Sequence, residues 1–160
     1  MEEKKRIVIT GLGTLNAIAR SAGQFAQNLK RGVCGIEPID LFDTAAFRTH
    51  LGGQIKNLNP REHIPREFSH KRLSRADAMA MAATVEALSD AGLYPFPESL
   101  CGDTGVVVGG GSGGLLEAED FYADLLAKGS ARAHFSKLSA IYCASSADRI
   151  ASTFGFLGPK

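Results

Sequence analysis

GVVVGGGSGGLLEAED, residues 105–120, sets a β-branched run against a string of glycines and follows it with an acidic, leucine-bearing segment. Read as strand, bare turn and helix, it is the central unit of an α/β chain. Gly109, Gly111 and Gly114 spell G-x-G-x-x-G between strand and helix, the setting in which a helix N-terminus cradles a pyrophosphate. A dinucleotide site also needs an acid about 20 residues further on, at the end of the next strand. No acid lies between Asp124 and Asp148, and neither this loop nor the one at Gly11-Leu12-Gly13 is followed by G-K-[S/T]. The turn therefore reads as backbone that needs positive φ angles and close packing.

The text on either side alternates strand-like and helix-like segments. Arg6 to Thr10 is a β-branched run entering a turn at Gly11 and Gly13, read as a buried strand. AGQFAQNLKRG follows as a helix with Gly32 beyond its end. Residues 33–70 form an ordered excursion in which GIEPIDLFD and LGGQI supply short strands, while the two prolines of NPREHIPREF forbid one long helix. Ser74 followed by Asp77 has the spacing of a capping box, and the helix it starts runs to Gly92. Its small residues Ala78, Ala80, Ala82 and Ala83 allow close backbone approach. The helix after the glycines is read with Leu115, Ala118, Tyr122, Leu125 and Leu126 inward and Glu117, Asp120 and Asp124 outward. A last helix brings Ala147, Ile150, Ala151 and Phe154 onto one stripe before Gly155. The pattern predicts a layered α/β fold with a mostly parallel mixed sheet, as one domain over residues 1–160 with no internal boundary. The Gly158-Pro159 pair directly after a helix suggests a chain about to enter its next element, and hence a fragment.

Composition narrows the function. At 160 residues, 44% hydrophobic and 22% charged, the chain has the make-up of a soluble globular domain. A formal net charge of +1 gives no reason to expect nucleic acid, and no apolar run reaches membrane length. Cys34, Cys101 and Cys143 form no CxxC pair, so neither a disulfide framework nor a metal site is indicated, and a reducing, cytoplasmic setting fits. Histidines at 50, 63, 70 and 134 are scattered, and no Cys–His pairing can be read.

RIVITGLGTLN, GIEPIDLFDTAAF with GGQI after it, the Ala-rich helix ending in SDAGL, TGVVVGGGSGGL and ADRIASTFGFLGP occur in an order that resembles the N-terminal half of the β-ketoacyl-acyl-carrier-protein synthases. The resemblance covers essentially the whole chain. It implies a thiolase-like αβαβα fold, a homodimer when full length, no cofactor, and decarboxylative Claisen condensation of an enzyme-bound acyl group with malonyl on acyl carrier protein. It also implies that the nucleophilic cysteine and two histidines lie beyond Lys160. No catalytic residue is then expected within this chain, and the 160 residues alone are expected to be inactive.

Two partial sites are implied. Gly111, Ser112 and Gly113, with Tyr142 and Cys143, align with the wall of the acyl pocket. Ser112 stands where elongating synthases often carry a bulky aliphatic residue, which points to a roomier or more polar tunnel. Residues 61–75, REHIPREFSHKRLSR, carry a local net charge of +3, and Lys71, Arg72 and Arg75 match the basic positions that dock the acidic carrier protein. Two other readings stay open: a non-catalytic, chain-length-factor-like subunit, and a nucleotide-binding module.

Overall fold

The computed structural model describes residues 6–68, 73–110, 113–130, 135–142 and 144–160. Helix α1 spans Ala22–Lys30; the Ser21 hydroxyl accepts from the Gln24 N–H, and Gly32 follows the helix at φ +70°. Strand β1 (Ile36–Pro38) pairs antiparallel with β2 (Leu51–Gly53), Ile36 opposite Gly53 and Pro38 opposite Leu51. Lys56 bonds Glu37 at 2.9 Å beside this hairpin, and that bond raises its pKa. Helix α2 covers Arg75–Asp90, and the capping box forms as its spacing predicts, Ser74 Oγ accepting from the Asp77 N–H at 3.0 Å. Helix α3 covers Leu115–Lys128 and α4 covers Ser145–Phe154, the latter closed by left-handed Gly155.

The core lies between α2 and α4. Ala78, Met81 and Ala82 meet Ala147, Ile150 and Ala151, with Ile64, Val106 and Phe156 completing the cluster. Phe154 stacks on Phe156, whose ring also takes the edge of Phe96 at 4.6 Å between centroids. The alanines of α2 serve a second purpose on another side of the helix. A Cβ at Gly13 would stand 2.0 Å from the Ala83 carbonyl oxygen, and one at Gly11 would stand 2.1 Å from that of Ala87. The loop thus lies directly on the helix backbone. It is tied there by carboxylates of α2: Asp90 accepts from the Leu12 N–H, and Glu86 accepts from the N–H groups of Thr14 and Ala22.

Two readings need correction. Arg6–Thr10 and Thr104–Gly110 carry no sheet ladder among the described residues, where the single sheet is the β1–β2 hairpin. Ile7 is 98% exposed and Val107 96%. A β-branched run favours extended backbone, but burial on both faces requires neighbouring strands and covering helices. What exists of parallel pairing is short: the Gly158 N–H donates to the Thr104 carbonyl at 3.0 Å and the Val106 N–H to that of Pro159 at 2.8 Å. The two segments run in the same direction, so closely that a Cβ on Gly105 or Gly158 would strike backbone of the other.

The inward face of α3 is also different. Ala118 and Phe121 are buried and Leu125 is half-buried, whereas Leu115, Tyr122 and Leu126 are exposed, Leu126 at 87%. The Phe121 ring packs against Phe135, which follows the helix, and this contact turns the stripe by one residue from the leucine-centred reading. Among the described residues, no helix is long and apolar enough to cross a membrane.

Replacing Gly13 with Ala should push the loop off α2 and lower stability by about 1–3 kcal/mol, the usual range for overpacking. Thermal unfolding of the variant checks this, with Gly23→Ala, where a Cβ meets nothing within 4 Å, as the harmless control.

Candidate functional site

The candidate site gathers around the adjoining N-terminal ends of α2 and α3. Arg75 opens α2, and its backbone N–H donates to Glu117 Oε1 at 2.8 Å, joining the first turns of the two helices. Glu117, expected to point outward, is half-buried for this reason. The Arg75 guanidinium donates through Nη2 to the Ile55 carbonyl just after β2. Arg75, Met79 and Leu116 together form a partition between two cavities. On one side is a cleft of about 430 Å³ reaching to the hairpin; on the other is a cavity of about 320 Å³ that Gly113, Leu115 and Glu119 also line.

Behind this wall lies a buried carboxylate. Asp77 is 1% exposed and accepts from the Ser74 N–H at 3.3 Å, from Ser146 Oγ at 2.8 Å and from Ser145 Oγ at 3.2 Å. It therefore fastens the first turn of α4 to the first turn of α2. The capping-box spacing foretold the local bond; the link across 68 residues to the serine pair had no signal in a single sequence.

Of the residues expected at the acyl pocket, Gly113 adopts φ +50° and lines the 320 Å³ cavity. Tyr142 is exposed and lines a separate polar groove with Ser145, Asp148, Arg149 and Lys160, so the two do not share a cavity. Gly111, Ser112 and Cys143 lie outside the described residues. The bareness of the turn has more than one cause. Gly113 needs its left-handed φ, and Gly105 needs room for Pro159, but a Cβ on Gly109 or Gly110 would meet nothing within 4 Å. Close packing by the described residues therefore does not account for these last two.

Of the expected docking residues, Lys71 and Arg72 lie outside the described residues, and Arg75 is half-buried, its Nη2 donating to the Ile55 carbonyl. Cys34 is exposed. Cys101 sits in a 3₁₀ turn, Glu98–Asp103, with Sγ 3.7 Å from the Phe154 carbonyl oxygen. His50 contacts Thr44 Oγ1 at 3.2 Å, and no hydrogen bond joins cysteine to histidine among the described residues.

Known proteins fit this geometry. The family described as "Beta-ketoacyl synthase, N-terminal domain" matches residues 4–160, and the chain belongs to that family. The "3-oxoacyl-[acyl-carrier-protein] synthase 2" of Staphylococcus aureus (strain COL) is 36% identical over 132 residues, covering 82% of this chain and 31% of that protein. The protein of the same name from Synechocystis sp. (strain ATCC 27184 / PCC 6803 / Kazusa) is also 36% identical, over 130 residues, 81% of this chain and 31% of the relative. The chain thus spans under a third of the length of the curated relatives it matches. Among solved structures, "The ishigamide ketosynthase/chain length factor" superposes with a TM-score of 0.80 at 24% identity, covering 96% of this chain and 38% of that one. A β-ketoacyl synthase from Burkholderia phymatum STM815 gives 0.77 at 23% identity, over 98% of this chain and 38% of its own. These likenesses show the thiolase-like α/β fold that the sequence implied.

Removing the Asp77 carboxylate should leave three donors of the helix junction without their acceptor. Asp77→Ala is expected to lower the unfolding free energy by about 3 kcal/mol, and urea denaturation monitored by circular dichroism measures it.

Proposed function

We propose that this chain is the N-terminal portion of a 3-oxoacyl-[acyl-carrier-protein] synthase acting in fatty acid or polyketide synthesis, in a cytoplasmic setting. The observation that carries the reading is the 36% identity, over 82% of the chain, to synthases of that name. In the reaction, a cysteine thiolate takes an acyl group from its carrier thioester, malonyl on acyl carrier protein loses CO2, and the resulting carbanion attacks the acyl thioester. This releases a 3-oxoacyl carrier thioester and restores the thiolate.

The present residues supply scaffold, wall and docking surface, with the nucleophile and two histidines encoded after Lys160. The exposed row Leu115, Tyr122 and Leu126 on α3 supports a homodimer face. The acyl tunnel is assigned to Gly111, Ser112 and Gly113 with Tyr142 and Cys143, and Ser112 in place of a large aliphatic residue widens it. Lys71, Arg72 and Arg75 form the carrier-protein dock. A solved ketosynthase described as "AntDE:AntF (apo): type II PKS acyl-carrier protein in complex with its ketosynthase bound to the hexaketide" supports that partner, at a TM-score of 0.73 and 17% identity over 99% of this chain and 42% of its own.

A second reading is favoured by the superposition on a ketosynthase/chain length factor: a non-catalytic subunit that shapes a partner ketosynthase's tunnel. The codons after Lys160 separate the two, cysteine in a Thr-Ala-Cys-like context marking the enzyme.

The full-length gene product should convert acyl and malonyl carrier thioesters to the 3-oxoacyl thioester with release of CO2, while the 160-residue chain alone turns over no faster than buffer. Failure of the full-length product rejects the synthase reading. Lys71→Glu with Arg75→Glu should raise the KM for carrier protein several-fold, an effect that shrinks with added salt, and leave kcat unchanged. Ser112→Ile should shorten the products; an unchanged chain-length profile rejects the tunnel assignment.

A further inference from the structure

The cleft of about 430 Å³ lies between the β1–β2 hairpin and the first turns of α2 and α3. Ile55, Met79, Ile39 and Leu15 line it, and Leu41, Phe42 and Leu116 stand at 42–50% exposure on it, the Phe42 ring also meeting Phe47 edge-on. Its polar groups are few, and two of them are spent. Asn16 donates to Thr14 Oγ1 and accepts from the Ile18 N–H. Gln54 both donates to and accepts from Asp40. The remaining one is Arg75. Its Nη2 donates to the Ile55 carbonyl, while Nε and Nη1 carry no hydrogen bond among the described residues. Among the described residues no carboxylate lines the cleft.

We propose that this cleft binds one aliphatic carboxylate, its chain along Leu15, Ile39, Ile55 and Met79 and its carboxylate group on the Arg75 guanidinium. An apolar surface with a single oriented cation selects that class of ligand. Burial of methylenes against Ile55 and Met79 drives association, and the planar fork of an arginine matches two carboxylate oxygens. The volume lies within the range of about 300–1,000 Å³ common to small-molecule sites. The site shares Arg75 with the proposed carrier-protein dock, but it uses no nucleophile and lies on the opposite side of the Arg75–Met79–Leu116 partition from Gly113.

Equilibrium dialysis of the full-length gene product against radiolabelled decanoate, below its micellar concentration, tests this directly, with 1-decanol as the neutral competitor. One equivalent should bind saturably. Arg75→Gln should weaken binding about tenfold or more, the scale of a lost charge-assisted hydrogen bond. Leu116→Glu, an exposed helix position where the new carboxylate repels the ligand's, should weaken it comparably while circular dichroism stays unchanged. Decanol should compete weakly, and equally in wild type and Arg75→Gln. Absence of saturable binding overturns the proposal, and so does a decanoate affinity and stoichiometry that both substitutions leave unchanged, since all the ligand then sits elsewhere, as in the proposed acyl tunnel. Because no turnover is measured, these outcomes are separate from failure of the condensation reaction.

Discussion

A buried carboxylate fixes the relation between the two helices that make the core. Asp77 lies a turn inside α2, accepts from the backbone that begins its own helix, and takes both serine hydroxyls that begin α4. Burying an ionisable group without a counter-ion is unfavourable unless its oxygens are hydrogen-bonded, and here several donors converge on it. The arrangement sets the helix register from one end, so that Ala78, Met81 and Ala82 meet Ala147, Ile150 and Ala151 rather than a neighbouring turn. Apolar packing supplies most of the driving force; the directional bonds choose which packing is realised.

From that junction the rest of the site follows. Arg75 precedes Asp77 by two residues, so fixing the first turn of α2 also fixes where the guanidinium and the Glu117 contact fall. The loop at residues 11–22 is hung on the far half of the same helix by Glu86 and Asp90, with Gly11 and Gly13 close against backbone. One helix therefore positions the N-terminal loop, the hairpin cleft, the glycine turn and α4.

How much of this was legible in the sequence depended on how local the signal was. The four helices, the capping box at Ser74 and the paired strands at 36–38 and 51–53 each carry their cause within a few residues. The β-branched runs at 6–10 and 104–108 announce a backbone preference but cannot announce a neighbour, so neither forms the strand it spells and the burial expected of the first is absent. On α3, counting leucines favoured Leu115 and Leu126, whereas the aromatic contact between Phe121 and Phe135 decided the face. The partial sites were carried by family likeness, and five of their residues, Lys71, Arg72, Gly111, Ser112 and Cys143, lie outside the described residues. The Arg75 cleft has no signal in the sequence because its walls come from five separate stretches of chain.

The close approach of Gly105 to Gly158 has a consequence for synthesis on the ribosome. Val106 finds its acceptor only on Pro159, more than fifty residues later in the chain. Until that segment leaves the exit tunnel, the Val106 N–H lacks this acceptor and is open to any passing strand. Translation speed across this interval, and a chaperone's attention to it, bear on how much of the nascent chain escapes aggregation.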